Sequence, residues 1–238
     1  MPILDYQADD KLAVITLTAG ENKQNLAFAE ALLDALDQAE ADRNIKAIIL
    51  TSSDEKNFSQ GVDLNWLMAA IQEGRQDDVK AFMYAMNRVF SRLLTIPIPT
   101  IAAITGHACG NGAMLACACD FRMMRSDRGY FCFPEVDISI PFMPGMIAFV
   151  KKAVPYHRFN EMKLTGRRIT ADEALADHIL EAAFPDAAST LEGAKEFART
   201  FNKRREIFGE HKRRLHKHIL EIMETEDTPL IEDLNLMV

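Results

Sequence analysis

The chain has 238 residues, of which 48% are hydrophobic and 26% are charged. This is enough apolar material for one compact core, and it excludes a disordered or fibrous protein. The formal net charge of -8 and the isoelectric point near 5.3 argue against a general nucleic-acid binder, because phosphate contacts require a basic surface.

The first predicted elements are two strands, a helix and a third strand. Residues 3–18 are typical of two strands around an Asp-Asp-Lys turn. Asn25 is a suitable N-cap for a helix whose apolar stripe ends near Asp42. Residues 46–51 form a short apolar run between polar segments, which predicts a buried strand.

The middle of the chain continues this alternation. Two helical stretches follow, and the second has apolar side chains at steps of three and four until Pro97 ends it. Residues 99–105 predict a strand, and a glycine-containing turn leads into a short helix over 113–120. Segments 120–126 and 130–133, separated by Asp-Arg-Gly, predict a β-hairpin. Strands that alternate with helices indicate an α/β fold whose ligand lies at strand ends.

The pattern is mostly helical from Gly145 onward. Thr170 and Glu173 have the spacing of a capping box at a helix start. A long polar helix is predicted from about Leu191 to Glu224. No internal repeat and no low-complexity segment interrupts the chain, so we expect no linker within the first 185 residues.

Four cysteines and the two ends of the chain bear on metal binding and on the cellular compartment. Cys109, Cys117, Cys119 and Cys132 lie in an apolar part of the sequence, and their spacing matches no zinc site. We therefore expect buried, reduced thiols and no bound metal. The first ten residues show no export or organelle signal, and the last four are not a peroxisomal address. These features predict a cytoplasmic protein with no membrane segment.

Two glycine turns, each followed by a helix, are candidate binding sites. The first lies in residues 57–64 and the second in residues 104–114. Backbone N–H groups at such turns can donate to a polarised oxygen, and donors from two turns would form an oxyanion hole. A single turn of this kind is more often structural. His107, in the second turn, is also more often a hydrogen-bonded structural residue than a base.

The third candidate site is the charged pair in residues 131–137. Glu135 is flanked by Phe133, Pro134 and Val136, so its carboxylate should be poorly solvated. Desolvation raises the pKa of a carboxyl group, as a general base near neutral pH requires. By itself this segment fits equally well two solvated loop acids, Glu135 and Asp137.

Taken together these segments resemble the crotonase family, also called the enoyl-CoA hydratase/isomerase family. The similar stretches are FSQGVDL, PTIAAITGHACGNGAMLACACDFRMM, FPEVDISIPFMPGM and MKLTGRRITADEALADHILEAAFP. They occur in the family's order and at its spacing across residues 10–185. The segment around TGHA and MMRSDRG is most similar to the Δ3,Δ2-enoyl-CoA isomerase branch.

The resemblance implies a fold and a set of site residues. The fold would be a spiral of strand-strand-helix units over residues 1–190, an acyl-CoA-binding core, followed by a C-terminal helical region over 191–238. The N–H groups of Val62 and Asn111 would hold the thioester oxygen. The expected neighbours of coenzyme A are Lys23, Ser59, Gln60, Asp63 and Leu64. The coenzyme A thioester is then the substrate, and no further cofactor is expected.

The resemblance also implies a mechanism with one carboxylate. Hydratases of the family use two acids, and Met114 stands here at the position of the first. Glu135 matches the catalytic Glu of the isomerases, and Asn111 replaces a usual glycine while keeping its N–H group. Glu135 would move a proton from C2 to C4 of a 3-enoyl thioester, as fatty acid degradation requires. The alternatives are hydration, thioester hydrolysis and a non-catalytic acyl-CoA-binding protein.

Two further expectations concern assembly and the basic C-terminal stretch. The resemblance implies a homotrimer or a dimer of trimers, and Phe142, Met143, Met146 and Phe149 are the predicted interface residues. Residues 203–218 carry seven Lys or Arg against two Glu. A solvated helix face explains this charge better than binding of coenzyme A phosphates does.

Overall fold

Parallel strands and surrounding helices build the fold, which we describe from a computed structural model of residues 2–234. The strands are β1 (Leu4–Asp9), β2 (Leu12–Leu17), β3 (Lys23–Gln24), β4 (Ala47–Ser52), β5 (Asn57–Ser59), β6 (Gly61–Val62), β7 (Thr100–Ile104), β8 (His107–Cys109), β9 (Phe121–Arg125), β10 (Phe131–Cys132), β11 (Arg168–Ile169) and β12 (Ala182–Phe184). The helices are α1 (Leu26–Ala41), α2 (Leu64–Gln72), α3 (Gln76–Thr95), α4 (Asn111–Ala118), α5 (Pro144–Ala153), α6 (Tyr156–Thr165), α7 (Ala171–Ala176), α8 (Ala187–Arg199), α9 (Arg205–Ile222) and α10 (Thr228–Glu232). A 3₁₀ helix covers Pro134–Ile138, and a π-helical turn covers Met223–Asp227.

The larger sheet has six strands in the order β1-β2-β4-β7-β9-β12, and only β1 runs antiparallel to its neighbour. Its central strands are apolar on both faces because helices cover both. Ile15 and Ile48 face the main core beneath α1 and α3, while Val14 and Ile49 face a smaller cluster beneath α8. The continuous apolar runs in the sequence therefore correspond to strands buried on two sides.

A second, smaller sheet has four strands in the order β11-β10-β8-β5. The chain alternates between the two sheets and then enters a helix, as in β7-β8-α4 and in β4-β5 followed by α2. These are the strand-strand-helix units of the spiral that the sequence predicts, and the predicted fold class is confirmed.

The predicted β-hairpin over 120–133 is wrong. β9 pairs with β7 and β12 in the larger sheet, whereas β10 pairs with β8 and β11 in the smaller one. Arg125, which is buried, forms an ion pair with Asp127 and donates to the carbonyl of Thr105 at 3.2 Å. These bonds fix a connection between two sheets instead of a tight turn between paired strands.

Two predicted helix starts are confirmed by their hydrogen bonds. Oδ1 of Asn25 accepts from the N–H of Phe28 at 3.1 Å, so Asn25 caps α1. Thr170 and Glu173 form the reciprocal bonds of a capping box at the start of α7. Helix α1 ends at Ala41, next to the predicted end.

The long helix predicted from Leu191 to Glu224 is wrong, because α8 ends at Arg199 and α9 begins only at Arg205. The Arg205 side chain is buried and donates to the carbonyl oxygens of Glu40, Asp42 and Ile45 at 2.7 to 2.8 Å. A cation at these carbonyls stabilises the C-terminal end of α1. The break between the helices brings Arg205 to that position.

The predicted boundary between two regions, after residue 190, lies inside α8. Ala194 and Ala198 of this helix are fully buried against the larger sheet, so α8 is packed as part of the core. The division into regions stays a prediction. The basic stretch over 203–218 is not a uniform solvated face, since Arg205 and Lys212 are buried.

The predicted interface residues lie inside the chain. Phe142, Met143 and Met146 are at most 9% exposed, and Phe149 is fully buried. The prediction that these four residues form a subunit interface is therefore wrong, because intramolecular packing already covers their side chains.

All four cysteines have free thiols. Cys117, Cys119 and Cys132 are buried, as the sequence predicts, whereas Cys109 is partly exposed.

Candidate active site

Glu135 lies in the 3₁₀ helix that follows β10. Pro134 opens this helix and fixes its first backbone angle. Because a 3₁₀ helix turns once in three residues, side chains two positions apart point in different directions. Glu135 is 8% exposed, while the side chain of Asp137 is exposed and lies against Gly166. The sequence pattern predicts an extended segment here and does not predict the bend that separates these two carboxylates.

The environment of Glu135 suits a proton carrier. Burial raises the pKa of the Glu135 carboxyl from 4.5 to about 7, and the positive charge of Lys163 offsets part of this rise. Within residues 2–234, its Oε2 atom is buried and has no hydrogen-bond partner. A carboxylate in this state can accept a proton near neutral pH and return it. The predicted desolvation is confirmed, although Val136 is exposed and contributes little to it.

Two glycines bring the candidate site together. Gly61 and Gly110 both have positive φ angles, 82° and 55°. A Cβ atom on Gly61 would lie 2.9 Å from the backbone nitrogen of Asn111, and a Cβ atom on Gly110 would lie 2.9 Å from Oε1 of Glu135. Any side chain here would separate the two turns or displace the carboxylate. The turn before Val62, the start of α4 and Glu135 therefore converge on one place.

The N–H groups of Val62 and Asn111, the two predicted backbone donors, lie outside the hydrogen bonds of their own strand pair and helix. Asn111 is the first residue of α4, so its N–H group has no acceptor within the helix and lies at the positive end of the helix dipole. The N–H group of Asp63 donates to the Gln24 carbonyl at 2.8 Å. Because successive N–H groups of an extended chain alternate in direction, the N–H of Val62 points away from that strand.

The side chain of Asn111 has a structural role. Its Nδ2 atom donates to Oε1 of Gln24 at 2.6 Å, and Nε2 of Gln24 donates to the Ser59 hydroxyl at 3.1 Å. The hydroxyl of Ser59 donates in turn to the carbonyl of Asn22 at 2.7 Å. This buried network ties α4 to the segment before α1. Sequence reasoning missed Gln24 and Asn22, because no local pattern marks a polar contact between residues this far apart.

An apolar cavity of about 330 Å³ adjoins Glu135. Its walls come from α2, α3, α4, α5, α10 and the 3₁₀ helix. The lining residues are Gln60, Val62, Leu64, Leu67, Ile71, Phe82, Met83, Gly110, Asn111, Met114, Pro134, Glu135, Ile138, Ile140, Pro141, Phe142, Met143, Met146 and Leu230. Of these described residues, Glu135 alone has a titratable side chain. Met114, at the position where hydratases carry an acid, contributes an apolar wall.

The residues predicted to contact coenzyme A take different positions. Gln60 and Leu64 line the cavity. Asp63 caps α2 by accepting from the N–H of Trp66 at 3.1 Å. Lys23 is a surface residue that pairs with Glu21.

Ser59 has no exposed surface to offer a ligand. Its hydroxyl is committed to the buried network around Gln24, and the prediction that Ser59 is a neighbour of coenzyme A stays a prediction.

His107 has the structural role that its position in the sequence suggests. Its Nδ1 atom accepts from the N–H of Tyr130 at 3.2 Å, and the two rings stack with centroids 5.3 Å apart. Burial lowers the pKa of His107. These contacts fix a neutral imidazole between β8 and β10, outside the lining of the cavity.

Between residues 2 and 234, no three His, Cys, Asp or Glu side chains are grouped so that they could hold a metal ion. None of the helices in the same range is both long enough and apolar enough to cross a membrane.

A spiral α/β fold with two backbone donors, one buried carboxylate and an adjoining apolar cavity defines a protein suited to polarise a carbonyl group and move a proton on a neighbouring carbon. The sequence profile described as enoyl-CoA hydratase/isomerase matches residues 7–228. The chain therefore belongs to this family, the crotonases, and the protein is an enzyme.

Individual relatives agree with this assignment. Enoyl-CoA delta isomerase 1, peroxisomal, of Arabidopsis thaliana is 31% identical over 189 residues, which cover 78% of this chain and 76% of the relative. Carnitinyl-CoA dehydratase of Salmonella arizonae is 32% identical over 198 residues, or 83% and 70% of the two chains. The solved structure of an enoyl-CoA hydratase/isomerase family protein from Pseudomonas syringae has a TM-score of 0.86 at 22% identity and covers 97% of both chains, which shows a shared fold.

Proposed function

We propose that the protein isomerises 3-enoyl-CoA to 2-trans-enoyl-CoA. The observation that carries the proposal is Glu135, the one titratable side chain among the described residues that line the cavity, which lies beside two backbone donors. Moving a double bond by one carbon needs one acid/base group, whereas adding water needs a second group to activate the water.

In the proposed mechanism, the Glu135 carboxylate removes a proton from C2 of the 3-enoyl thioester. The electron pair of the broken C–H bond delocalises, and the resulting dienolate carries its negative charge on the thioester oxygen. The N–H groups of Val62 and Asn111 donate to that oxygen. The Glu135 carboxyl then returns the proton to C4, which gives the 2-trans-enoyl thioester and restores the carboxylate.

The expected contributions are of familiar size. Removing one oxyanion donor typically costs about 3 kcal/mol of transition-state stabilisation. General acid–base catalysis contributes about 10² to 10⁴ in rate. A pKa of about 7 for Glu135 suits a group that must both accept and release a proton.

Hydration is the second candidate, because one relative at 32% identity is named a dehydratase. The lining of the cavity weighs against it, since Met114 cannot activate water and the described lining offers no second acid.

The substrate in this proposal is a coenzyme A thioester, and no other cofactor takes part. Gln60 and Leu64 lie at the cavity and would contact the pantetheine arm. Lys23 would reach the phosphates from the surface. Fatty acid degradation, in which 3-enoyl thioesters arise from unsaturated chains, is the proposed setting.

We also propose that the enzyme assembles as a homotrimer or a dimer of trimers, as its membership of the crotonase family suggests. Sedimentation at micromolar concentration tests this, and a stable monomer would contradict it. A cytoplasmic location stays a prediction from the sequence.

The test of the isomerase proposal is a direct comparison of reactions in one preparation. We expect 3-hexenoyl-CoA and 3-decenoyl-CoA to be converted to 2-trans-enoyl thioesters, and crotonyl-CoA to be hydrated far more slowly. Hydration of crotonyl-CoA as fast as isomerisation would favour the second candidate, and no turnover of any of these thioesters would overturn both.

A further inference from the structure

Cys109 and Cys132 form a close thiol pair outside the proposed reaction. They lie opposite each other on the neighbouring parallel strands β8 and β10. The thiol of Cys132 donates to the sulfur of Cys109, and the two sulfur atoms are 3.1 Å apart. Neighbouring strands are about 4.8 Å apart, which is within the Cα separation that a disulfide spans. The backbone therefore already has the spacing of a cross-linked pair.

The two thiols differ in their chemical surroundings. Cys109 is partly exposed, while Cys132 is buried. The pKa of Cys109 is lowered, chiefly by the hydrogen bond from Cys132 and also by the positive charge of Arg168, which is opposite Cys132 on β11. A partly exposed cysteine with a lowered pKa beside a second thiol is the usual arrangement of a redox-sensitive pair.

The other two cysteines provide the contrast. Cys117 and Cys119 are completely buried. Burial raises the pKa of Cys117 to about 11 and that of Cys119 to about 12. Neither thiol can readily become the reactive thiolate.

The pair is also joined directly to the site. Cys109 immediately precedes Gly110 and Asn111, and Cys132 lies just before the 3₁₀ helix that contains Glu135. The N–H of Gly110 donates to the carbonyl of Cys132 at 3.0 Å. The segments that present one oxyanion donor and the proton carrier therefore meet at this pair of residues.

We propose that Cys109 and Cys132 are a reversible oxidation site that responds to peroxides and slows turnover when it closes. The Cys109 thiolate attacks a peroxide oxygen and breaks the O–O bond, which gives a sulfenic acid and, for hydrogen peroxide, hydroxide. The sulfur of Cys132 then attacks the sulfur of this sulfenic acid and forms the S–S bond. The hydroxyl group of the sulfenic acid takes the proton of the Cys132 thiol and leaves as water. Two thiols lose two electrons and two protons, and the peroxide is reduced to two waters.

The effect on turnover follows from the geometry and rests on the proposed function. A disulfide bond is about 2 Å long, so the sulfur atoms must approach by about 1 Å from their separation of 3.1 Å. Any adjustment of β8 and β10 that accompanies this approach shifts Glu135 relative to the donor at Asn111, because both segments continue directly from the pair. Misplacement of reacting groups by about 1 Å can cost about 10²-fold in rate.

The experiment exposes the intact enzyme to a slight excess of hydrogen peroxide and maps its cysteines by mass spectrometry. We expect a cross-link between the peptides that contain Cys109 and Cys132, and a fall of about tenfold or more in turnover that dithiothreitol reverses. Turnover is measured on any acyl-CoA thioester that the reduced enzyme converts, so failure of the isomerase assignment leaves this test intact.

Three variants make the outcome decisive. Cys132→Ser keeps a hydrogen-bond donor beside Cys109 but has no resolving sulfur, so it should accumulate a sulfenic acid at Cys109 that dimedone traps. Cys109→Ala should resist both oxidation and inhibition. Cys117→Ala is the matched control and should behave like the unchanged enzyme. The proposal is overturned if no cross-link between Cys109 and Cys132 forms, if Cys109 is driven to sulfinic acid instead, or if the cross-linked enzyme retains full turnover.

Discussion

At the scale of the residue, the 3₁₀ helix gives different surroundings to two carboxylates that lie only two positions apart, Glu135 and Asp137. The 3₁₀ turn buries Glu135 at the cavity and leaves Asp137 at the surface. Sequence reasoning could predict that an acid flanked by apolar residues would be desolvated. It named Glu135 as that acid, but it could not predict that Asp137 would point elsewhere, because this depends on a backbone bend that Pro134 permits but does not require.

Replacing each acid by its amide separates their roles. We expect Glu135→Gln to reduce turnover by about 10² to 10⁴, because the amide retains the shape but cannot accept a proton, while thioester affinity stays nearly unchanged. Asp137→Asn is the matched control and should have a small effect. Turnover and product affinity are measured for both variants. A severe loss in Asp137→Asn together with an active Glu135→Gln would show that the base has been misassigned.

The raised pKa of Glu135 predicts the acid limb of the pH profile. The proton carrier must start as a carboxylate, and its pKa is about 7, so the active form is lost as the pH falls through 7. We expect kcat/KM to fall about tenfold for each pH unit below this value. The profile is measured between pH 5 and pH 9, with Asp137→Asn as the control that keeps the midpoint. A midpoint near the ordinary value of 4.5 would show that water solvates Glu135 in solution.

The side chain at position 114 should affect whether the enzyme hydrates or isomerises its substrate. A carboxylate at this position would line the same cavity as Glu135, so Met114→Glu should raise hydration of crotonyl-CoA to a detectable level. Met114→Gln is the matched control, since it is similar in size but cannot act as a base. Equal hydration by the Glu and Gln variants would contradict the argument that hydration requires two carboxylates.

At the scale of the element, the site depends on short strands that secure two turns. β3 and β6 are two residues long, and their positions depend on the polar network through Gln24. The long strands β2, β4 and β7 could be predicted because a buried strand shows itself as a continuous apolar run. The pairing partners of β9 and β10 could not be predicted, because the local sequence pattern of a strand does not indicate which sheet the strand joins.

Loss of Gln24 should weaken both the fold and the site. Gln24→Ala leaves the Asn111 amide without its acceptor and the Ser59 hydroxyl without its donor, in a buried location. We expect the free energy of unfolding to fall by about 1 to 3 kcal/mol, and turnover to fall as well because α4 loses a tether. Urea unfolding and steady-state kinetics measure the two effects. Lys23→Ala, one residue away and exposed, should leave stability almost unchanged.

At the scale of the whole molecule, the C-terminal helices are attached to the core through buried cations. Arg205 bonds to three carbonyl groups around the end of α1, and Lys212 pairs with Asp120 while donating to the carbonyl of Leu93. The sequence shows only a run of basic residues here. Which of them would be buried could not be predicted from the local sequence. The position of Arg205 depends on its hydrogen bonds to the end of α1, which is far away in the sequence.

This attachment predicts a stability difference between two arginines of α9. Arg205→Met removes the cation from the buried carbonyls and should lower the free energy of unfolding by about 2 kcal/mol or more. Arg213→Met should change it by less than about 1 kcal/mol, because Arg213 is exposed and forms a surface ion pair with Glu210. Urea denaturation of both variants provides the comparison, and equal stabilities would contradict the anchoring role.

The cavity next to Glu135 has a wall of four thioethers, from Met83, Met114, Met143 and Met146. A methionine side chain has three rotatable bonds and fills irregular spaces without a fixed shape. The cavity can therefore change its contour through side-chain rotation while the backbone donors and the carboxylate stay in place. Under the proposed function, this arrangement would separate recognition of the reacting carbons, which is rigid, from accommodation of the hydrocarbon tail, which is adaptable. The same active site would then accept acyl chains of different lengths.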